Sequence, residues 1–84
     1  MYFVYVLRSL KNGRLYTGST ENVQHRLSEH NSGKSKATRH TRPFELIHQE
    51  GYDSRSQAYQ REMYLKTGRG RQELESILGS SYNG

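Results

Sequence analysis

The dipeptide Asn12-Gly13 stands between two runs rich in β-branched and aromatic residues, MYFVYVLRS over 1–9 and RLYTGS over 14–19. Asn-Gly between such runs is a strong β-hairpin signal, because both residues tolerate the positive φ of a tight two-residue turn. Strands are therefore expected at 2–9 and 14–19. With Asn12 and Gly13 as the turn, Lys11 pairs with Arg14, Ser9 with Tyr16 and Leu7 with Gly18. Side chains alternate along a strand, so Tyr5, Leu7, Ser9, Tyr16 and Gly18 share one face. On this register the two tyrosines are offset by four residues, roughly 13 Å along the strand. They flank a hollow at Gly18, where no side chain projects. A bulge at the turn would alter the register.

The next stretch, STENVQHRLSEHNSG over 19–33, reads as a helix at about 20–32. Ser19 or Thr20 can cap its start, and Gly33 can sit just past its end. Its only aliphatic residues, Val23 and Leu27, define the buried face. Arg26 and His30 fall on that same face. An unpaired buried charge is costly, so Arg26 calls for a carboxylate or a bound anion such as phosphate. The alternative is that it lies at the edge of the stripe and pairs with Glu29 or a loop acid.

From Ser32 to Arg42 the chain is polar and aperiodic, and KSKATRHTR over 34–42 holds four basic residues, one histidine and no acid. Pro43 closes this loop, and FELIHQEGY over 44–52 is a third strand. A second helix follows at 54–66, with Ser54 and Gln57 as a capping box. Its stripe is Ala58 and Leu65, widened by Tyr59 and Met63. Glu62 falls inside that stripe, where a leucine is expected. It can answer a buried cation such as Arg26, or Lys66 at the stripe's edge. Gly68 and Gly70 interrupt the chain. A last helix at 71–79 carries Leu74, Ile77 and Leu78, and 80–84 reads as a frayed tail.

Eighty-four residues, 31% of them hydrophobic, suffice for one domain, 1–84, with one modest core. The absence of cysteine excludes disulfides, zinc–cysteine sites and thiol chemistry. No apolar run is long enough to span a membrane and no signal-peptide pattern opens the chain, so a cytoplasmic protein without a membrane partner is expected. A net charge of +5 points toward nucleic acid. Lys34, Lys36, Arg39 and Arg42 form one uncompensated cluster; Arg69 and Arg71, with Lys66 nearby, form another. Both suit a phosphate backbone.

Tyr5, Tyr16, Arg26, His30 and Glu62 are five polar groups directed at one small interior. They lack a good covalent nucleophile but hold the parts for phosphodiester hydrolysis. A carboxylate can hold one hard divalent cation with water in its other positions. An arginine can stabilise charge on the phosphate, and a tyrosine or histidine can take a proton from water. Tyrosine as a base needs its pKa, ordinarily near 10, lowered by a neighbour. A zinc site from His25, His30, His40 and His48 is disfavoured, since these residues are scattered.

The chain resembles the GIY-YIG nucleases. The resemblance rests on Val4-Tyr5-Val6 preceded by Phe3, and on Tyr16-Thr17-Gly18 some ten residues later. It also rests on Arg26-Leu27-Ser28-Glu29-His30-Asn31, on Glu62 after Ala58-Tyr59-Gln60-Arg61, and on Leu65-Lys66-Thr67-Gly68. It spans about Tyr2 to Leu78. It implies an α+β fold, a three-stranded antiparallel sheet flanked by helices. It implies single-metal, Mg²⁺- or Mn²⁺-dependent cleavage of DNA. Tyr5 and Tyr16 would position and activate water, Tyr5 with His30 being the favoured base. Arg26 would bind the scissile phosphate and Glu62 the metal. Three positions depart from the family pattern. Phe3 replaces the opening glycine, Thr17 an aliphatic residue, and Ser19 stands where some repair enzymes of the family carry a lysine. Two other readings compete: a non-catalytic nucleic-acid-binding module, and an accessory subunit of a larger repair or recombination complex.

Overall fold

The computed structural model of this chain describes residues 1–82. Three strands form one antiparallel sheet: β1 (Tyr2–Ser9), β2 (Leu15–Thr20) and β3 (Phe44–Tyr52), in the order β2-β1-β3. Three helices complete the α+β fold: α1 (Val23–Ser32), α2 (Arg55–Leu65) and α3 (Gly68–Tyr82). Sheet and helices fall where the sequence places them. Gly68 opens α3 and Gly70 lies inside its first turn, so the helix starts at 68 rather than 71 and Gly70 does not interrupt the chain. α3 also runs through 80–82, part of the stretch read above as a frayed tail; 83–84 lie outside the described residues.

β1 lies at the centre, and its middle, Val4-Tyr5-Val6-Leu7, is at most 2% exposed. Burial on both faces explains why it reads as a nearly continuous hydrophobic run. Alternation sends Val4 and Val6 into a core with Ala58, Leu65, Leu74 and Leu78 of α2 and α3. Tyr5 and Leu7 enter a second core on the opposite face, with Val23 of α1 and Phe44. Tyr59 and Met63, read above as widening the α2 stripe, face outward at 55% and 38% exposure.

The hairpin register differs from expectation by two residues: Leu7 pairs with Tyr16 and Tyr5 with Gly18. The connection is a four-residue loop, Leu10–Gly13, rather than a two-residue turn. The Ser9 hydroxyl is the reason. It accepts from the amides of Lys11 and Asn12 and donates to the Thr41 carbonyl, while Gly13 N–H closes on the Ser9 carbonyl at 2.9 Å. Gly13 takes φ 77° there. Because the slip is even, every side chain keeps its expected face.

α1 begins later than the sequence suggests. β2 continues to Thr20, opposite Phe3, so neither Ser19 nor Thr20 is free to cap. Asn22 caps instead, its side chain accepting from His25 N–H. Gly33 ends the helix at φ 85° and returns its N–H to the His30 carbonyl. Asn31 fixes α1 to the sheet: its amide donates to the Phe44 carbonyl and accepts from the Phe44 N–H, at 3.1 and 2.7 Å.

In β3 the register against β1 shifts between Val6 and Leu7, so Ile47 is an extra residue. Beyond this bulge, His48, Glu50 and Tyr52 line the α2–α3 face. Glu50 accepts from Arg61 of α2, from His48 and from Tyr52, and Arg61 also pairs with Glu73 of α3. Burial opposes ionisation of Glu50, but these donors outweigh it and hold the carboxyl at about 2. This network joins β3, α2 and α3.

Candidate active site

Tyr5, Tyr16, His30 and Arg26 meet on the α1 face of the sheet. The Tyr5 hydroxyl lies 3.0 Å from His30 Nε2. The Tyr16 ring is 6.4 Å from that of Tyr5 and 4.9 Å from the His30 imidazole, centroid to centroid. The two tyrosines are therefore close neighbours, not the distant flanks of a groove, because the register slip brings Tyr16 two residues nearer. The room for Tyr5 comes from Gly18 directly across β1. A Cβ added at Gly18 would stand 2.5 Å from the Tyr5 hydroxyl oxygen.

Arg26 follows the edge reading. It pairs with Glu29, one turn on, at 3.2 Å, and its side chain is 34% exposed. Its charge also acts on the Tyr5 phenol, favouring ionisation of the hydroxyl. Arg26 holds the Glu29 carboxyl below its ordinary range. Neither Arg26 nor Glu62 is the other's hydrogen-bonding partner.

Glu62 reaches in from the other side of the sheet. It is largely buried, its side chain 12% exposed. The Ser19 hydroxyl donates to Oε1 and the Lys66 ammonium to Oε2, each at 2.7 Å. Lys66 is thus the cation that answers Glu62. Ser19 points to the α2 face because its neighbour Gly18 points to Tyr5, so β2, an edge strand, separates the carboxylate from the phenol. The Glu62 charge still opposes ionisation of Tyr5. A cleft of about 240 Å³ is lined by Tyr16, Thr17, Lys66 and Arg71, and one of about 340 Å³ by Ser19, His25 and Arg55, so each holds one of the two donors to Glu62.

Protonation follows from burial. Tyr5 is pushed up to about 12, chiefly by desolvation and then by Tyr16, with Arg26 pulling the other way. It carries its proton at neutral pH, the opposite of the lowered pKa that a free phenolate base requires. His30 is fully buried and pushed below its ordinary value, first by desolvation and then by the Arg26 charge, so its imidazole is neutral.

Thr38 is the site residue that sequence reasoning missed. It is 1% exposed, and its Oγ1 lies 2.7 Å from His30 Nδ1. A threonine within a basic polar loop gives no sign of burial. A buried histidine on α1 does call for a partner on each ring nitrogen, and the loop after the helix supplies the second one eight residues on. The role of Ser19 was missed as well. Phe3 packs half-buried against the tyrosine cluster, and Thr17 is buried on the opposite face.

The seven cations assigned to nucleic acid are all exposed. Lys34, Lys36, Arg39 and Arg42 lie on the loop after α1, and Lys66, Arg69 and Arg71 around the start of α3. The Arg42 guanidinium lies over Gly33, filling the space a side chain there would need. The four histidines do not gather: His30 faces Tyr5 and Thr38, while His48 bonds Glu50 on the other side of the sheet. Among the described residues no helix is long and apolar enough to cross a membrane.

A UPF0213 protein of Staphylococcus haemolyticus is 42% identical over 77 residues, covering 90% of this chain and 93% of that one. A UPF0213 protein of Natronomonas pharaonis is 48% identical over 67 residues, 79% of this chain and 78% of its own. The solution NMR structure of the UPF0213 protein BH0048 from Bacillus halodurans superposes with a TM-score of 0.57. It is 36% identical and covers 98% of this chain and 90% of that one. The family model of the GIY-YIG catalytic domain matches residues 1–75, from the first strand into the last helix, and the chain belongs to the GIY-YIG family.

Proposed function

We propose that this protein is a small cytoplasmic endonuclease that hydrolyses DNA phosphodiester bonds by attack of water, with one divalent cation, Mg²⁺ or Mn²⁺, at Glu62. The observation that carries this reading is the meeting of Tyr5, Tyr16, His30 and Arg26 around one hydroxyl, with the Glu62 carboxylate just beyond Gly18. Family membership and the exposed cations support DNA as the substrate.

The donor set fits a hard cation that keeps most of its water. Such an ion needs only one or two protein carboxylates, with phosphate oxygens completing its sphere. Glu62 offers one, and the Lys66 ammonium on Oε2 marks it as a carboxylate compensated by positive charge. Among the described residues no three His, Cys, Asp or Glu side chains gather as a metal-binding group, so water and phosphate complete the set. When bound, the cation supplies charge that offsets the negative charge building on the phosphate.

The chain's own residues do the rest. Arg26, one-third exposed, turns its guanidinium from Glu29 to a phosphate oxygen. Tyr5 need not ionise. As its oxygen takes a proton from the attacking water, its own proton passes to Nε2 of neutral His30. Tyr16, half-buried beside both rings, orients the water.

The test incubates the protein with labelled single-stranded, duplex, nicked and branched DNA, and with RNA, in Mg²⁺, Mn²⁺ or EDTA. Glu62→Ala and Arg26→Ala are run alongside. The expected result is metal-dependent cleavage lost in both variants while they remain folded and still bind DNA. Binding by the wild type without cleavage in any metal would move the reading to a non-catalytic binding module, which has no use for Glu62.

A further inference from the structure

Tyr5, His30 and Thr38 form a chain of three buried side chains, each joined to the next by one hydrogen bond. Tyr5 Oη lies 3.0 Å from Nε2, and Thr38 Oγ1 lies 2.7 Å from Nδ1. None is more than 2% exposed, so no bulk water substitutes for a missing partner. A neutral imidazole donates from one nitrogen and accepts at the other. Two arrangements are possible. Either Tyr5 donates to Nε2 and Nδ1–H donates to Thr38, or Thr38 donates to Nδ1 and Nε2–H donates to Tyr5.

Arg26 decides between them. It stands one turn before His30 on α1, and its charge acts on both the Tyr5 phenol and the His30 imidazole. A cation on that side turns the buried O–H dipole away from itself, so the phenol proton points to Nε2, its hydrogen-bonding partner. Tyr5 is thus the donor to Nε2. Thr38 Oγ1 then ends the chain as the acceptor of Nδ1–H.

We infer that Thr38 is a positioning residue, which holds His30 in the Nδ1–H tautomer and so keeps the basic lone pair of Nε2 on the Tyr5 hydroxyl. Its link to cleavage rests on the nuclease reading above; the tautomer itself does not. The loop bearing Thr38 also bears Lys34, Lys36, Arg39 and Arg42, all exposed. It therefore presents cations outward and an acceptor inward. Its inner side makes the hydroxyl of Tyr5 a donor toward His30.

The test is nitrogen-15 NMR of the imidazole rings in full-length wild type, Thr38→Val and Thr38→Ser. Single-turnover cleavage and DNA affinity are measured on the same samples, and amide spectra establish that each variant is folded. In the wild type, His30 Nδ1 should be protonated and Nε2 unprotonated at neutral pH. Valine, which keeps the shape but removes the acceptor, should shift His30 toward the Nε2–H tautomer. It should lower the cleavage rate about tenfold or more with DNA affinity unchanged. Serine should restore both. An Nε2–H wild type, or a tautomer unmoved by valine, would overturn the inference. So would a valine variant that loses affinity at an unchanged rate, since Thr38 would then be only part of a DNA contact. If the wild type cleaves nothing while the tautomers behave as stated, the nuclease reading fails and the positioning of His30 stands.

Discussion

Gly18 sits directly across the sheet from Tyr5, and the phenol hydroxyl occupies the space that any side chain at 18 would fill. The glycine of the second motif is thus a steric requirement imposed by the tyrosine of the first. Gly18→Ala is expected to push the Tyr5 ring off His30. Overpacking of this kind costs about 1–3 kcal/mol. Urea denaturation should show that loss, and the cleavage rate should fall far more than the folded fraction does.

The pH dependence of cleavage follows from the two pKa shifts. His30 must be neutral to accept a proton, and burial with the Arg26 charge holds its pKa below 6.5. The rate should therefore fall on the acid side only below the ordinary histidine range. No alkaline limb from Tyr5 is expected until pH approaches about 12. A rate profile measured in single turnover checks both limbs. Stability follows the same sign. Unfolding exposes a histidine that binds protons more readily, so this contribution is full above 6.5 and is lost as pH falls toward the folded pKa.

Glu50 predicts a second acid effect, remote from the site. Its carboxyl is held at about 2 in the folded chain against an ordinary 4.5. The stabilisation is present above 4.5 and is lost as pH falls toward 2. Glu50→Gln should flatten thermal stability over that window and lower the melting temperature at neutral pH. Arg61→Ala should cost about 1–3 kcal/mol through the donors it takes from Glu50 and Glu73. Calorimetry across pH reads both.

Asn31 bonds both backbone groups of Phe44, so it does the work of a strand neighbour for the first residue of β3. Asn31→Ala leaves both groups without their partner and is expected to cost about 1–3 kcal/mol. Asn31→Asp keeps the acceptor and loses the donor, and should fall between. Hydrogen exchange at the Phe44 amide distinguishes the two.

DNA affinity should respond to salt through the loop cations. Each phosphate-contacting residue replaced among Lys34, Lys36, Arg39 and Arg42 should reduce the slope of log affinity against log salt by about one. Binding isotherms at several salt concentrations measure it. An unchanged slope would place the nucleic acid elsewhere, the cations near Lys66 and Arg71 being the alternative.

Most of the fold is legible in local chemistry. Alternating β-branched and aromatic residues mark the strands, and Val23, Leu27, Ala58, Leu65, Leu74 and Leu78 mark the helix faces. The hairpin register was not legible, because it depends on the Ser9 hydroxyl gathering two loop amides and the Thr41 carbonyl, a contact across 32 residues. That Tyr5 and Tyr16 share a face was readable, since parity survives an even slip, but their contact was not, because the expected register kept them four residues apart. The partners of Glu62 were half readable. Lys66 lies one turn on, but Ser19 comes from another element and carries no signal of its own. Thr38 shows the same limit: its hydroxyl is buried by how the loop folds back over α1, not by its sequence neighbours.

β1 divides its side chains between two cores, valines to one and Tyr5 with Leu7 to the other, and it lies in the middle of the sheet. It has no spare register. One residue inserted or deleted inside β1, between Tyr5 and Leu7, would put the two halves of the strand out of phase and send part of it to the wrong core, exchanging chemistry for packing in a single step. Loops such as Leu10–Gly13 can change length without this penalty. The middle of β1 is therefore where tolerance to insertion is lowest.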